Sequence, residues 1–102
     1  SKEKRAAYSS TKWGLIGLTK AASLDLANNN ILVNALSPGF IDTKLTRAIL
    51  KRNEIDELKS IIPQKRLGIA DEIAKVGAFL VSNHNTYITG QNIIVDGGWT
   101  AW

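Results

Sequence analysis

Residues 31–39 read ILVNALSPG, and this stretch decides the fold class. The almost unbroken apolar run over 31–36 is typical of a short strand that is covered on both faces, as in a parallel sheet. Ser37, Pro38 and Gly39 are predicted to end it, so that a loop begins at the carboxyl end of the strand. Residues 92–95, NIIV, predict a second short strand.

Helical patterns surround these two strands. Residues 7–28 predict a long helix that three asparagines end. Two short helices, 43–51 and 54–62, are predicted to form a surface excursion separated by Asn53, and a further helix begins at Ala70. Because a helical crossover joins the two strands, we expect them to pair in parallel.

The order of elements predicts an α/β fold. Two strands that are covered on both faces need helices above and below and further strands beside them. The chain has 102 residues and offers no other strand pattern. We therefore expect it to be part of one doubly wound domain whose remainder lies on its amino-terminal side.

Composition excludes several kinds of function. The chain has no cysteine and one histidine, His84, so neither a disulfide framework nor an ordinary zinc site is expected. We find no signal peptide and no apolar run long enough to span a bilayer, which predicts a cytoplasmic protein without membrane contact. Residues 44–66 carry seven bases and three acids. Their helical spacing favours a solvated face over nucleic-acid binding, with an anionic substrate or an acidic carrier protein as the alternative.

Tyr8 and Lys12 are the first candidate site. Side chains at positions i and i+4 lie on one face of a helix. A lysine ammonium beside a phenol favours the phenolate, which suits a general acid or base. Taken alone, this spacing is a weak motif that many helices contain by chance.

A second motif, SPGFIDT at residues 37–43, follows the carboxyl end of the first strand. Ligands of open α/β sheets bind at this edge. Gly39 would allow close approach of the backbone, and Thr43 offers a hydroxyl group. A third motif, TGQNIIVDGG, occupies residues 89–98.

Together YSSTK (8–12), NALSPGFIDT (34–43) and TGQNIIVDGG (89–98) resemble the carboxyl-terminal part of short-chain dehydrogenases/reductases. The similarity is greatest to the branch with 3-oxoacyl-carrier-protein reductases and glucose dehydrogenases. It implies a Rossmann-type, three-layer α/β/α sheet whose amino-terminal, dinucleotide-binding half is missing here. It also implies NAD or NADP as cofactor, a carbonyl or alcohol substrate that an acyl carrier could present, and a homotetramer or dimer.

The resemblance assigns roles to individual residues. Tyr8 matches the catalytic tyrosine, which exchanges a proton with the substrate oxygen. Lys12 matches the lysine that favours ionisation of this tyrosine and hydrogen-bonds the nicotinamide ribose, so both residues also touch the cofactor. Other matches to the cofactor-binding segment are Pro38, Gly39, Ile41, whose backbone faces the carboxamide, and Thr43, whose hydroxyl lies near the carboxamide or the phosphates.

The chain also departs from the family pattern. The catalytic serine of the family lies farther upstream of the tyrosine than Ser1, and neither Ser9 nor Ser10 takes its place. The asparagine of the family and its glycine-rich turn are absent as well. The alternative hypothesis is a truncated, non-catalytic member that acts as an oligomerisation or interaction module.

Two further segments have predicted roles outside the catalytic and cofactor-binding residues. Asp96-Gly97-Gly98 is predicted to be a structural turn. The apolar residues of the excursion either cover the substrate as a lid or pack on the body of the domain.

Overall fold

The computed structural model describes residues 3–101 as alternating helices and strands. The elements are α1 (Ala6–Leu26), a 3₁₀ turn (Ala27–Asn29), β1 (Ala35–Pro38), α2 (Lys44–Ile49), α3 (Arg52–Ile61), α4 (Ala70–Leu80) and β2 (Asn92–Val95). This order confirms the predicted α/β class. It also confirms the long first helix and the helix that begins at Ala70.

β1 and β2 form a parallel pair, as predicted. Ala35 lies opposite Asn92, and Pro38 lies opposite Val95. Beyond the last pair, the Gly39 N–H donates to the Val95 carbonyl at 2.9 Å. The ladder therefore continues one residue past the carboxyl end of β1.

The predicted bounds of β1 were wrong. Residues 31–34 lie outside the ladder, where side-chain hydrogen bonds accompany a backbone one from the Gly90 N–H to the Val33 carbonyl at 2.7 Å. The Val33 N–H donates to Thr89 Oγ1, and the Asn34 side chain donates to the Ile88 carbonyl and accepts from the Gln91 N–H. Pro38 belongs to the strand instead of ending it. Its missing N–H costs no hydrogen bond to β2, because the carbonyl of Val95, which lies opposite Pro38, accepts the Gly39 N–H.

The excursion between the strands contains two helices, as predicted. The break between these helices lies before Asn53 and not at it. Asn53 belongs to α3, and the chain is extended at Leu50. The Glu54 carboxylate accepts the backbone N–H of Lys51 at 2.7 Å. A carboxylate at this position satisfies one of the free N–H groups at a helix start, and so α3 begins earlier than the sequence pattern indicated.

Glu72 accepts a free backbone N–H at the start of α4 in the same way, and it also binds the end of the excursion. It accepts the Ile69 N–H at 2.9 Å and two hydrogen bonds from the Arg66 guanidinium at 2.7 and 2.9 Å. The Arg66 hydrogen bonds and then the Ile69 N–H lower the pKa of Glu72 from 4.5 to about 2. The segment before α4 is therefore tied to its first turn.

The strands are not covered on both faces within residues 3–101; the sequence analysis expected helices and strands beyond these residues to cover them. β1 is half-buried along most of its length, and Asn92 and Ile94 of β2 are exposed. In the described part of the chain, only Ile62 and Leu67 are buried apolar side chains. Two strands with three helical regions supply too little surface to enclose a sheet. The same residues include no helix of the length and apolarity that crossing a membrane requires.

Gly39 and Asp96 make the closest backbone approach between the two strand ends. A Cβ atom on Gly39 would lie 2.6 Å from Asp96 Cβ and 2.7 Å from Asp96 Cα. No side chain fits there without a backbone shift. The absence of a side chain on Gly39 makes room for Asp96 at the end of the adjacent strand; the predicted approach of Gly39 to a ligand stays a prediction.

We expect Gly39→Ala to lower the free energy of unfolding by roughly 1 to 3 kcal/mol, because the added methyl group forces the strand ends apart. Urea denaturation measures this change. Gly14→Ala is the matched control: the new Cβ meets no described atom within 4 Å. In a helix interior it should be neutral or stabilising. Equal effects of both substitutions would contradict the steric argument.

Glu72 should contribute to acid unfolding. Its folded pKa of about 2 lies below its ordinary value of 4.5. A depressed pKa stabilises the fold above pH 4.5, and this contribution is lost as the pH falls towards 2. In Glu72→Gln the group no longer titrates, so stability should fall less between pH 4.5 and pH 2. Circular dichroism during denaturation at each pH checks this. Asp71→Asn, which removes an exposed pair with Lys75, should keep the wild-type slope.

Candidate active site

Tyr8 and Lys12 share one face at the start of α1. The Lys12 Nζ atom lies 5.5 Å from the centroid of the Tyr8 ring. The tyrosine side chain is 57% exposed, and a substrate can therefore reach it. The spacing of four residues thus brings the phenol and the ammonium together as the sequence indicated. Their catalytic role stays a prediction.

Arg5 is a second cation beside Tyr8 that the sequence analysis missed. Its Cζ atom lies 5.9 Å from the ring centroid. Arg5 directly precedes α1, three positions before Tyr8, and this spacing was the available signal. Exposed cation–π contacts contribute about 0.5 to 1 kcal/mol each. Two cations therefore help to hold the ring in place.

A groove of about 270 Å³ runs between α1 and the sheet. Its lining from α1 is Lys12, Trp13, Leu15 and Ile16, and its lining from the sheet is Ala35, Leu36, Ser37 and Asn92. The groove brings Lys12 beside residues 35–37 of β1 and the first residue of β2. Of the predicted site residues, only Lys12 lines it. Tyr8 lies one turn earlier on α1, Pro38 is the last residue of β1, and Gly39, Ile41 and Thr43 follow that strand.

Ser37 and Asn92 form a polar pair in the same groove that sequence reasoning did not single out. The Ser37 hydroxyl donates to Asn92 Oδ1 at 2.6 Å. Since Ala35 is opposite Asn92 and strand side chains alternate, Ser37 and Asn92 project from the same face of the sheet. Their contact depends on the register between strands that are 55 residues apart, and a sequence pattern does not reveal it.

Ile41 is bound to neighbouring segments, and its N–H is the backbone group available to a ligand. It forms an isolated parallel bridge with Gly68, and its carbonyl accepts the Thr46 hydroxyl at 2.7 Å. Among residues 3–101 no acceptor is found for the Ile41 N–H. This N–H can bind a carbonyl oxygen of a ligand.

Thr43 caps α2. Its hydroxyl oxygen accepts the Thr46 N–H at 3.1 Å, and the two threonine hydroxyls are 3.0 Å apart. Next to it, Asp42 forms a bidentate pair with Arg47 at 2.6 and 2.7 Å, and this pair lowers the pKa of Asp42. The structural role of Thr43 is therefore to cap α2. A role towards a cofactor stays a prediction.

The predicted structural turn is held together by the Asp96 side chain. One carboxylate oxygen accepts the Gly98 N–H, and the other accepts both the N–H and the hydroxyl of Thr100. The hydroxyl contact, at 2.7 Å, is the main reason that the pKa of Asp96 is lowered. Among the described residues no three histidine or carboxylate side chains come together as a metal site would need.

Comparison with known proteins identifies the family. Residues 1–100 match the family described as enoyl-(acyl carrier protein) reductase. The chain is 48% identical over 91 residues to the 3-oxoacyl-[acyl-carrier-protein] reductase of Aquifex aeolicus and 44% identical over 91 residues to that of Chlamydia trachomatis. Each match covers 89% of this chain but only 36% of the relative.

Solved structures agree with these relatives. A 4-hydroxyisoleucine dehydrogenase complexed with NADH superposes with a TM-score of 0.88 at 38% identity, over 95% of this chain and 40% of that one. A variant of a Serratia marcescens short-chain dehydrogenase/reductase gives a TM-score of 0.84 at 35% identity, over 94% of this chain and 38% of that one. The parallel α/β arrangement described above is therefore part of a Rossmann-type fold, and the chain belongs to the short-chain dehydrogenase/reductase family.

Proposed function

We propose that these residues are the carboxyl-terminal part of a Rossmann-type domain in an NAD(P)-dependent oxidoreductase. The enzyme would reduce a carbonyl group or oxidise a secondary alcohol. One observation carries the proposal: the Lys12 ammonium lies 5.5 Å from the centroid of the Tyr8 ring and lines a groove between α1 and the two parallel strands. The chain spans only 36% of the length of the Aquifex and Chlamydia relatives, so the activity of the whole protein is part of the proposal.

In this proposal Tyr8 moves the proton. During reduction its hydroxyl group gives its proton to the carbonyl oxygen and becomes the phenolate; during oxidation the phenolate accepts the proton of the alcohol hydroxyl. The Lys12 ammonium stabilises the phenolate that exists between these transfers. A bound nicotinamide would supply or accept the hydride. The chain's own contribution is to orient the reacting groups and to transfer the proton.

The segment after β1 would hold the nicotinamide end of the cofactor. The Ile41 N–H, which lacks an acceptor among residues 3–101, suits the carbonyl oxygen of a carboxamide. Pro38 and Gly39 precede it at the strand end, and Thr43 follows at the start of α2. NAD and NADP both remain candidates, because the residues that would choose between them lie outside this chain.

The proposal extends to the substrate and the partners. Relatives are named as reductases of 3-oxoacyl groups on an acyl carrier protein, and the excess of bases over residues 44–66 is compatible with an acidic carrier. A homotetramer or dimer would cover exposed apolar side chains of α1, such as Trp13, which is 74% exposed. Cytoplasmic location stays a prediction. The comparisons do not favour the alternative of a non-catalytic module.

We expect Tyr8→Phe to lower kcat of the intact protein at least about 100-fold while leaving its melting temperature unchanged, because the substitution removes only the exchangeable proton. Oxidation of NADH or NADPH with a panel of carbonyl substrates, followed at 340 nm, measures this. Tyr87→Phe is the control, since that side chain is 94% exposed and far along the chain. Activity that survives in Tyr8→Phe would remove the proposed role.

A further inference from the structure

The turn of residues 96–100, here called the Asp96 turn, directly follows β2. Its carboxylate binds three donors from within the turn, at 2.7 to 2.9 Å. Gly97 and Gly98 have positive φ angles of 67° and 88°, which glycine adopts without strain. The turn is thus a compact unit whose shape depends on Asp96 and on Thr100.

The Asp96 turn contacts the proposed cofactor segment at two places. Gly39 lies so close to Asp96 that a Cβ atom would overlap it at 2.6 Å. One residue farther on, the rings of Phe40 and Trp99 pack with centroids 4.5 Å apart at an angle of 53°. Aromatic pairs at this separation and tilt are attractive beyond the area that they bury. Both contacts fix the backbone directly before Ile41.

The same turn also contacts the end of the α2–α3 excursion. The Gly97 carbonyl accepts the Gln64 N–H at 3.3 Å. A Cβ atom on Gly97 would lie 3.0 Å from Ile62 Cγ2, and one on Gly98 would lie 3.2 Å from Pro63 Cγ. Ile62 is 1% exposed, so this contact belongs to the small core of the chain.

The contacting residues surround a cavity of about 120 Å³. Its lining includes Phe40, Ile41, Gln64, Asp96 and Gly97. The Asp96 turn forms one side of this cavity. Opposite it, the segment is held by the bridge to Gly68, in which Gly68 donates to the Phe40 carbonyl and Asp42 donates to the Gly68 carbonyl. Phe40 and Ile41 are therefore held between two supports.

We propose that the Asp96 turn positions the segment of residues 38–43, and that Thr100 and Trp99 are positioning residues for cofactor binding. This inference rests on the proposed function. Neither residue needs to touch the cofactor: Thr100 acts through Asp96, and Trp99 acts through Phe40. Loosening the turn frees Gly39 and Phe40 and thereby misplaces the Ile41 N–H.

The test uses the intact protein with Thr100→Val and Trp99→Leu. Each should raise the KM for NADH or NADPH about fivefold while kcat changes less than about twofold, because a lost hydrogen bond or ring contact weakens cofactor placement. The conservative variants Thr100→Ser and Trp99→Phe should restore the wild-type KM. Thr19→Val is the matched control, since the Thr19 hydroxyl bonds to the Leu15 carbonyl on α1, away from the turn.

Amide hydrogen exchange gives a second readout that does not depend on activity. Gly39 and Asp42 donate to Val95 and Gly68, and their amides should exchange faster in Thr100→Val while the amides of α1 keep their rates. Faster exchange spread evenly over the protein, with an unchanged KM, would mean that the turn only stabilises the fold and would overturn the proposal. An equal rise in KM in Thr19→Val would also overturn it.

The two proposals fail in different ways. If the wild-type protein binds no dinucleotide, the proposed function is wrong, and the exchange rates of Gly39 and Asp42 still decide whether the turn positions the segment. If the wild-type protein binds dinucleotide and the variants bind it equally well, only the positioning role is lost.

Discussion

The parallel pairing of β1 with β2 is the constraint on which the other features depend. It joins stretches that are 57 positions apart in the chain, Ala35 and Asn92, and it ends where Gly39 lies against Asp96. This contact tolerates no side chain on residue 39. The segment after β1 and the turn after β2 therefore leave the sheet side by side, and the proposed cofactor segment begins at that point.

Packing within residues 3–101 is uneven, and this bears on stability. Ile62 and Leu67 are buried near the end of the excursion, whereas large apolar side chains of α1 are exposed, among them Leu18 at 62% and Leu24 at 79%. Area removed from water is the main favourable term in folding, so the described residues use only part of what their composition offers. The ion pair of Lys75 with Asp71 does not compensate, because a pair this exposed contributes little.

The candidate site divides into a local part and a tertiary part. Tyr8, Lys12 and Arg5 are neighbours because one helix turn separates them. Ser37 with Asn92 and Phe40 with Trp99 are neighbours only because two distant segments pack together. Gly39 illustrates the difference: its residue type indicated a close approach, but only the packing showed that Asp96 is what approaches.

From the sequence by itself one could determine the α/β class, the parallel pairing, the helix from Ala70, the strand at Asn92–Val95 and the Tyr8–Lys12 pair, because periodicity and i,i+4 spacing are local properties. The tertiary structure decided the start of β1, since Thr89 and Asn34 side chains replace the ladder there. It also decided the break before α3 and the supports of residues 38–43. These depend on hydrogen-bond partners and surfaces far away in the chain, and no short stretch of residues specifies them.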